Sequence, residues 1–306
     1  MLTETDQFIL SNNISKFSHQ AMNTIFDIYI ANEDKSYAQQ AAYEAFNEID
    51  RLENELSRFK PNSDINRINN LELGKTIIIN EDVMNCLVQS KYVYELTKGI
   101  FDITLGKSIQ NWKENQINNM DEDKISGFSN LILDEGKFAI TALKPINIDL
   151  GGIGKGYAAD KVAKLLNEWE IKSLLINAGG STTKFNADET NIINWPLTIS
   201  NPMDNRIICN IKINSGSLSS SGIRKGNHII NPIDFHPVNN KRLSAWAFCE
   251  DATLSDALST SFMILDFKEI RNICDSNDSI SSLLIESRNE GFEVIKFGKF
   301  FENIVT

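Results

Sequence analysis

The stretch Asn147–Asp160, NIDLGGIGKGYAAD, carries the densest chemistry in this chain of 306 residues. An alternating apolar run (Ile146, Ile148, Leu150) ends in Gly151-Gly152. Gly154-Lys155-Gly156 follows, and Tyr157, Ala158, Ala159, Val162, Ala163 and Leu166 then recur at helical spacing. The pattern predicts strand, glycine turn and helix. Glycines at such a turn let backbone N–H groups approach a ligand, and the helix N-terminus presents partial positive charge to phosphate. Lys155 adds a full charge. The spacing G-G-x-G-x-G is neither a P-loop nor a dinucleotide fingerprint, so taken alone the stretch reads equally as a tight packing turn.

Other groups offer complementary chemistry. Asp256 and Thr260 lie four apart in a helix predicted over Glu250–Leu265, and so share one face. A carboxylate and a hydroxyl so placed can hold a hard cation such as Mg²⁺, which takes oxygen ligands. They can also form a local hydrogen-bonded pair. His228 leads into an Asn-Pro turn beside the small, polar Ser215–Gly222, which reads as a ligand-facing loop. A histidine can move a proton near neutral pH, although a lone histidine is as often a packed or surface residue. Gly99–Gly106 (GIFDITLG) sets an aromatic and an acid between glycines at a helix exit, and Ala178–Thr183 is a second glycine-rich turn able to hold phosphate or ribose.

The elements that must position these groups alternate irregularly. Ile25–Ile30, Thr76–Ile79, Ser173–Asn177, Trp195–Ser200, Ile207–Ile213 and Ala245–Cys249 read as strands. Tyr37–Leu56, Glu81–Thr97 and Lys268–Cys274 read as amphipathic helices. Arg58 and Phe59 read as helix-end packing, and Ser63 or Asp64 can cap the short segment that follows. Trp112 to Lys124 reads as a polar surface excursion. Leu131–Leu133 with Phe138–Ile140, and Ser282–Glu286 with Phe292–Phe297, read as hairpins. This order predicts an α+β fold of mixed sheets with packed helices, not a doubly wound sheet.

Composition narrows the function. A net charge of −11 argues against sequence-independent nucleic-acid binding, which needs Lys and Arg in excess. Cys86, Cys209, Cys249 and Cys274 lie far apart and read as buried thiols of a reducing compartment. With three histidines (His19, His228, His236), the composition argues against a multi-histidine metal site. No signal peptide, lipid-attachment cysteine or membrane span is visible, so a cytoplasmic location is expected, or a periplasmic one if an export segment was trimmed.

Taken together, seven segments resemble the ApbE flavin-transferase family, the FAD:protein FMN transferases. They are His19–Thr24 (HQAMNT), Leu56–Asn69, Gly99–Gly106, Asp149–Asp160, Asn177–Gly180, His228–Pro232 and Asp256–Thr260. The resemblance runs from about Phe17 to Ile270. It implies one flavin-transferase domain over 1–306, with a core at about 17–270, a C-terminal hairpin at 280–300, and FAD in a central cleft. It further implies Mg²⁺-dependent transfer of FMN from FAD to a threonine or serine hydroxyl of an acceptor protein, with release of AMP. Mg²⁺ would be held by the Gly154 carbonyl and the side chains of Asp256 and Thr260, with Asp256 thereby catalytic. Met22, Phe59, Ile100, Phe101, Asp102, Gly151 and Ile229 would line the FAD site, with Asp149 and Lys155 near the phosphates. His228 would assist proton removal from the attacking hydroxyl. The family usually has Asp where Asn231 stands, Gly near Phe235, and an acid where Ser181 stands. Two other readings follow from the same residues: an FAD pyrophosphatase that makes FMN and AMP, and a non-catalytic FAD-binding protein.

Overall fold

The computed structural model describes residues 13–114, 127–188, 193–226, 228–238, 241–289, 291–302 and 304. Its centre is an eight-stranded antiparallel sheet in the order β1-β2-β6-β7-β10-β11-β12-β13. These strands are β1 (Ile14–Ala21), β2 (Thr24–Ala31), β6 (Leu174–Ala178), β7 (Thr182–Asn186), β10 (Gly216–Gly222), β11 (Arg242–Cys249), β12 (Ser281–Arg288) and β13 (Gly291–Phe297). A smaller sheet, β3-β5-β4, uses Thr76–Ile78, Ala139–Ala142 and Leu131–Asp134. β8 (Trp195–Ser200) pairs with β9 (Ile207–Ile213). The helices are α1 (Lys35–Leu56), α2 (Asp64–Asn69), α3 (Glu81–Leu96), α4 (Gly106–Lys113), α5 (Gly154–Glu168), α6 (Ala252–Ser261), α7 (Phe267–Ser276) and α8 (Lys299–Glu302). The α+β class is as predicted.

Strand alternation divides the core. Phe26, Ile28, Ile30, Leu174, Ile176, Ala245, Ala247 and Leu284 face the helices, while Phe185, Leu218, Leu283 and Ile285 join Trp195, Ile199 and Ile211 of β8–β9 on the other side. The residues facing α6 are small. Ser219 meets Ser255 at 2.6 Å and Ser221 meets Ser259 at 2.9 Å, hydroxyl to hydroxyl. Ser215–Gly222 is therefore mostly a central strand and not a ligand-facing loop. Serines hide its period-two pattern because their hydroxyls are satisfied by the helix instead of by water.

Two other expectations need correction. The run Ile146–Leu150 forms no regular strand. Asn147 makes one isolated parallel bridge to Leu105. The Asn69 amide brackets Ile148, accepting from its N–H at 2.6 Å and donating to its carbonyl at 3.0 Å. A side chain thus takes the place of a neighbouring strand. Trp112 belongs to α4, and the remainder of the expected excursion, from 115 to 124, lies outside the described residues. The reading of the N-terminus as leader-free rests mainly on 1–12, also outside them. No helix among the described residues is long and apolar enough to cross a membrane.

The crossing of α5 and α6 is set by one glycine and one acid. A Cβ on Gly156 would lie 2.2 Å from the Ala252 carbonyl oxygen. One turn later Asp160 accepts the N–H groups of Ala252 at 2.9 Å and Thr253 at 2.8 Å, and the Thr253 hydroxyl at 2.6 Å. The residue preceding α6, Asp251, makes no side-chain cap, so Asp160 caps the helix from outside. At the other end the Arg242 guanidinium donates to the carbonyls of Phe262 and of Leu265, the latter at 2.7 Å. Gly156→Ala gains about 1 kcal/mol of helix propensity, yet the clash with backbone costs about 3 kcal/mol or more. A net loss of stability in urea unfolding is expected. Gly154→Ala, whose Cβ would find Leu150 at an ordinary 3.7 Å, is the control that should not destabilise.

Candidate active site

The turn before α5 folds back on itself. Ile153 and Gly154 both donate to the Leu150 carbonyl, at 3.0 and 2.7 Å. No side chain of the turn caps the helix. The third residue, Gly156, donates instead to Oδ2 of Asp256 at 3.1 Å. Asp256 is only 3% exposed. Its Oδ1 accepts the Thr182 hydroxyl at 2.9 Å, and the Lys155 ammonium lies 3.2 Å from Oδ1 and 3.1 Å from Oδ2. Lys155 also stands 3.4 Å from the Gly151 carbonyl. Thr260, one helical turn beyond Asp256, places its hydroxyl 3.1 Å from that of Ser221. A Cβ on Gly152 would lie 3.5 Å from the Thr260 hydroxyl and 3.4 Å from the Phe101 ring. The glycine turn therefore runs between α6 and the loop that follows α3.

That loop is fixed from within. Gly99 has φ +87° and donates to the Tyr94 carbonyl at 2.7 Å, ending the helix. The Thr97 hydroxyl accepts the Phe101 N–H at 2.9 Å. Asp102 turns its carboxylate on Thr104, accepting the N–H at 2.8 Å and the hydroxyl at 2.7 Å. Burial pushes the Asp102 carboxyl up, against those two bonds. Ile100 is half-buried and Phe101 buried.

Arg58 ties this loop to the turn. Its side chain is 7% exposed. Nη1 donates to the Gly106 carbonyl at 2.8 Å and to Oδ1 of Asn147 at 2.9 Å, and Nε lies 3.0 Å from Oδ2 of Asp149. Asp149 in turn accepts the Gly151 N–H at 2.7 Å. From its local sequence Arg58 reads as helix-end packing, because nothing nearby shows that two distant segments converge on it. Its neighbour Phe59 is 74% exposed, with the guanidinium 4.8 Å from its ring centroid.

The ends of two hairpins lie side by side. Met22 and Asn23, both at positive φ, turn β1 into β2. The Gly179-Gly180 turn joins β6 to β7, and Gly179 donates to the Ile25 carbonyl at 2.9 Å. Asn177 accepts the Gly180 N–H at 3.0 Å, so this second glycine turn is a hairpin turn stabilised by its own side chain. Ser181 accepts the Ser220 N–H at 2.7 Å, linking it to β10.

The ApbE family profile matches residues 22–284. The chain belongs to the ApbE family. It is 27% identical over 243 residues to the FAD:protein FMN transferase of Buchnera aphidicola subsp. Baizongia pistaciae, covering 72% of this chain and 71% of that one. It is 23% identical over 272 residues to the FAD:protein FMN transferase of Vibrio cholerae, covering 80% of each. Among solved structures, the flavin transferase ApbE from Vibrio cholerae superposes with a TM-score of 0.83 at 19% identity, over 95% of this chain and 99% of that chain. The ApbE protein from Thermotoga maritima gives 0.83 at 21% identity, over 94% and 98%. The fold is thus that of ApbE flavin transferases.

Within this ApbE-family chain, Phe101, Asp149, Gly151, Gly154, Lys155, Asp256 and Thr260 are drawn into one neighbourhood by the contacts above. Thr182, Arg58 and Asn147 belong to it as well; each lies in a segment that the sequence singles out, but nothing in the sequence gives it an individual role. Thr182 lay inside a glycine-rich turn whose threonines gave no sign of reaching α6. Among the described residues, His228 makes no hydrogen bond to the Asp256 cluster. Its Nδ1 is 2.8 Å from the Gly226 carbonyl, and its ring centroid is 6.5 Å from that of Trp112. Ile229 is buried against the main core, and Met22 packs partly on it. Asn231 accepts the Ile233 N–H at 3.0 Å and makes no bond to His228. Phe235 adopts φ +61°, the left-handed conformation that glycine takes without cost.

The described residues hold no group of three or more His, Cys, Asp and Glu able to bind a metal. The donors that the family resemblance names are instead one carboxylate, one hydroxyl and one backbone carbonyl. That all-oxygen set suits a small hard cation, and the Asp256 carboxylate already accepts a positive charge on its open side, from Lys155. The residues present therefore fit Mg²⁺.

The start of α5 is anchored at a second acid. Asp82 accepts the Tyr157 hydroxyl at 2.8 Å, and pairs with Lys161 at 2.7 Å and with Arg51. Burial works against its charge, but Lys161, Arg51 and Tyr157 outweigh it and hold the carboxyl below its ordinary 3.8. Because the folded value is depressed, this stabilisation is complete above the unfolded value and is lost as pH falls through the folded one. Asp82→Asn is expected to cost about 1–2 kcal/mol at neutral pH, between exposed and buried pairs since both cations are partly exposed. Urea titrations should show the gap from wild type closing below pH 3.8.

Proposed function

We propose that the chain transfers FMN from FAD to a threonine or serine hydroxyl of an acceptor protein and releases AMP. The acceptor oxygen forms a bond to the FMN-side phosphorus, and the bond from that phosphorus to the bridging oxygen breaks. AMP departs with the electron pair, and the hydroxyl proton goes to a base. The observation that carries this reading is the junction of the Gly151–Lys155 turn with buried Asp256 and half-buried Thr260. A glycine turn that admits close approach, one ammonium and the oxygen donors of Asp256 and Thr260 meet there. Phosphoryl transfer needs little else, being mostly positioning and charge neutralisation. The family membership and the names of the curated relatives support it.

Arg58 and Asp149 hold the turn in a fixed register, Asp149 accepting the Gly151 N–H and the Arg58 guanidinium at once. Phe59, with one face toward Arg58, offers the other face to a flat ring. Asp256 and Thr260, with the Gly154 carbonyl, would hold Mg²⁺, which would supply charge neutralisation at the pyrophosphate. His228 takes the proton once the acceptor is docked. Asn231 brings it no carboxylate. Water can take the place of the acceptor hydroxyl at the same phosphorus, so FAD hydrolysis to FMN and AMP is the second reading.

The test is incubation with FAD and Mg²⁺, with and without an acceptor bearing an exposed threonine, reading AMP and covalent flavin fluorescence together. Labelled acceptor is the expected result. AMP without label in both tubes points to the hydrolase, and bound FAD with no AMP in either overturns turnover altogether. Asp256→Ala should abolish the Mg²⁺-dependent reaction, and retained activity would remove it from the metal site. His228→Ala should slow transfer about a hundredfold, and an unchanged rate would return it to a packing role.

A further inference from the structure

We propose that Lys155 is a placeholder cation: in the metal-free protein its ammonium occupies the side of Asp256 on which a divalent cation binds, so metal and FAD bind cooperatively. The inference rests on the metal site read above and adds what controls its filling. The Asp256 side chain is 4% exposed and is held by neutral donors, the Thr182 hydroxyl and the Gly156 N–H. Its counter-charge comes from Lys155 alone among the contacts described, on a side chain that is 20% exposed and so approaches from the open side. The ammonium is nearly equidistant from the two oxygens, 3.2 and 3.1 Å, as a cation facing a carboxylate head-on would be. It also reaches toward the Gly151 carbonyl, at 3.4 Å, on the turn that precedes the third metal donor, Gly154.

A divalent ion and an ammonium cannot share that position, since like charges in a poorly solvated site repel strongly. Lysine is suited to yield. Its flexible stem carries a compact charge that can move several ångströms without breaking a fixed fork of bonds, as arginine would have to. Something must take the displaced charge, and a pyrophosphate lying on the Gly151–Lys155 turn would do so. FAD therefore clears the site for the metal. By linkage, the factor by which FAD raises metal affinity equals that by which metal raises FAD affinity.

Mn²⁺ is the spectroscopic probe, with the free ion counted by electron paramagnetic resonance. Lys155→Met, which keeps the apolar stem and removes the charge, is expected to bind Mn²⁺ without FAD about tenfold tighter than wild type, or more. FAD should then raise the affinity of the variant by less than that of wild type. A readout without any variant covers the case in which Lys155→Met does not fold. Saturating wild type with Mg²⁺ in the absence of FAD should free Lys155, raising its acetylation by an amine-reactive ester several-fold, measured on its peptide by mass spectrometry. Equal Mn²⁺ affinities of wild type and variant, or Lys155 acetylation unmoved while Mg²⁺ binds, overturns the placeholder role and leaves the metal site standing. Mn²⁺ binding that is absent with FAD present, or that survives Asp256→Ala, overturns the metal site itself.

Discussion

One negative charge kept out of water governs the arrangement of this molecule. Asp256 is buried between a helix and the middle of the main sheet, and an uncompensated carboxylate there would be prohibitively costly. Each element around it answers that requirement. α5 starts where its third amide can donate to the acid, β7 brings Thr182, and the glycine turn brings Lys155. For α5 to come that close, Gly156 must lie against the α6 backbone, and the strands beneath α6 must carry Ser and Ala instead of Leu or Ile. The polarity of the site and the small residues of the sheet thus have one cause.

α6 itself is held at its two ends by side chains from other elements. An acid, Asp160, satisfies its first amides, and a guanidinium, Arg242, takes the carbonyls of Phe262 and Leu265 just past its last turn. The charges match the helix dipole at each end. Since Asp160 sits one turn below Gly156 on α5, the cap also fixes how far α6 slides along α5. The spacing between Lys155 and Asp256 is then determined by covalent distance along α5 and not by the flexible side chain alone.

The part of this that sequence made legible was local. The segment Asp149–Asp160 is contiguous, so its turn and helix could be read directly, and Asp256 with Thr260 follow from helical spacing. The long helices and most strands declared themselves by period. What stayed hidden depends on partners distant in the chain. Arg58 reads as a helix-end cation until Gly106, Asn147 and Asp149 are seen to meet it. Ser215–Gly222 reads as a loop because its buried face is polar, and Ile146–Leu150 reads as a strand although its partner is the amide of Asn69. In each case a side chain takes over hydrogen bonding that backbone normally supplies, and pattern rules built on hydrophobicity do not register it.

The four cysteines carry a consequence of their own. All are free and buried. Burial pushes the thiols of Cys86 and Cys274 up to about 12, and that of Cys249 well above its usual value. Exchange, alkylation and peroxide attack all proceed through the thiolate, which such groups scarcely form. Thiols of this kind persist unpaired in an oxidising milieu as readily as in a reducing one. Their lack of partners is therefore a property of the core and says nothing about cellular address, and the surface is open to a single engineered cysteine as a selective site for a spectroscopic label.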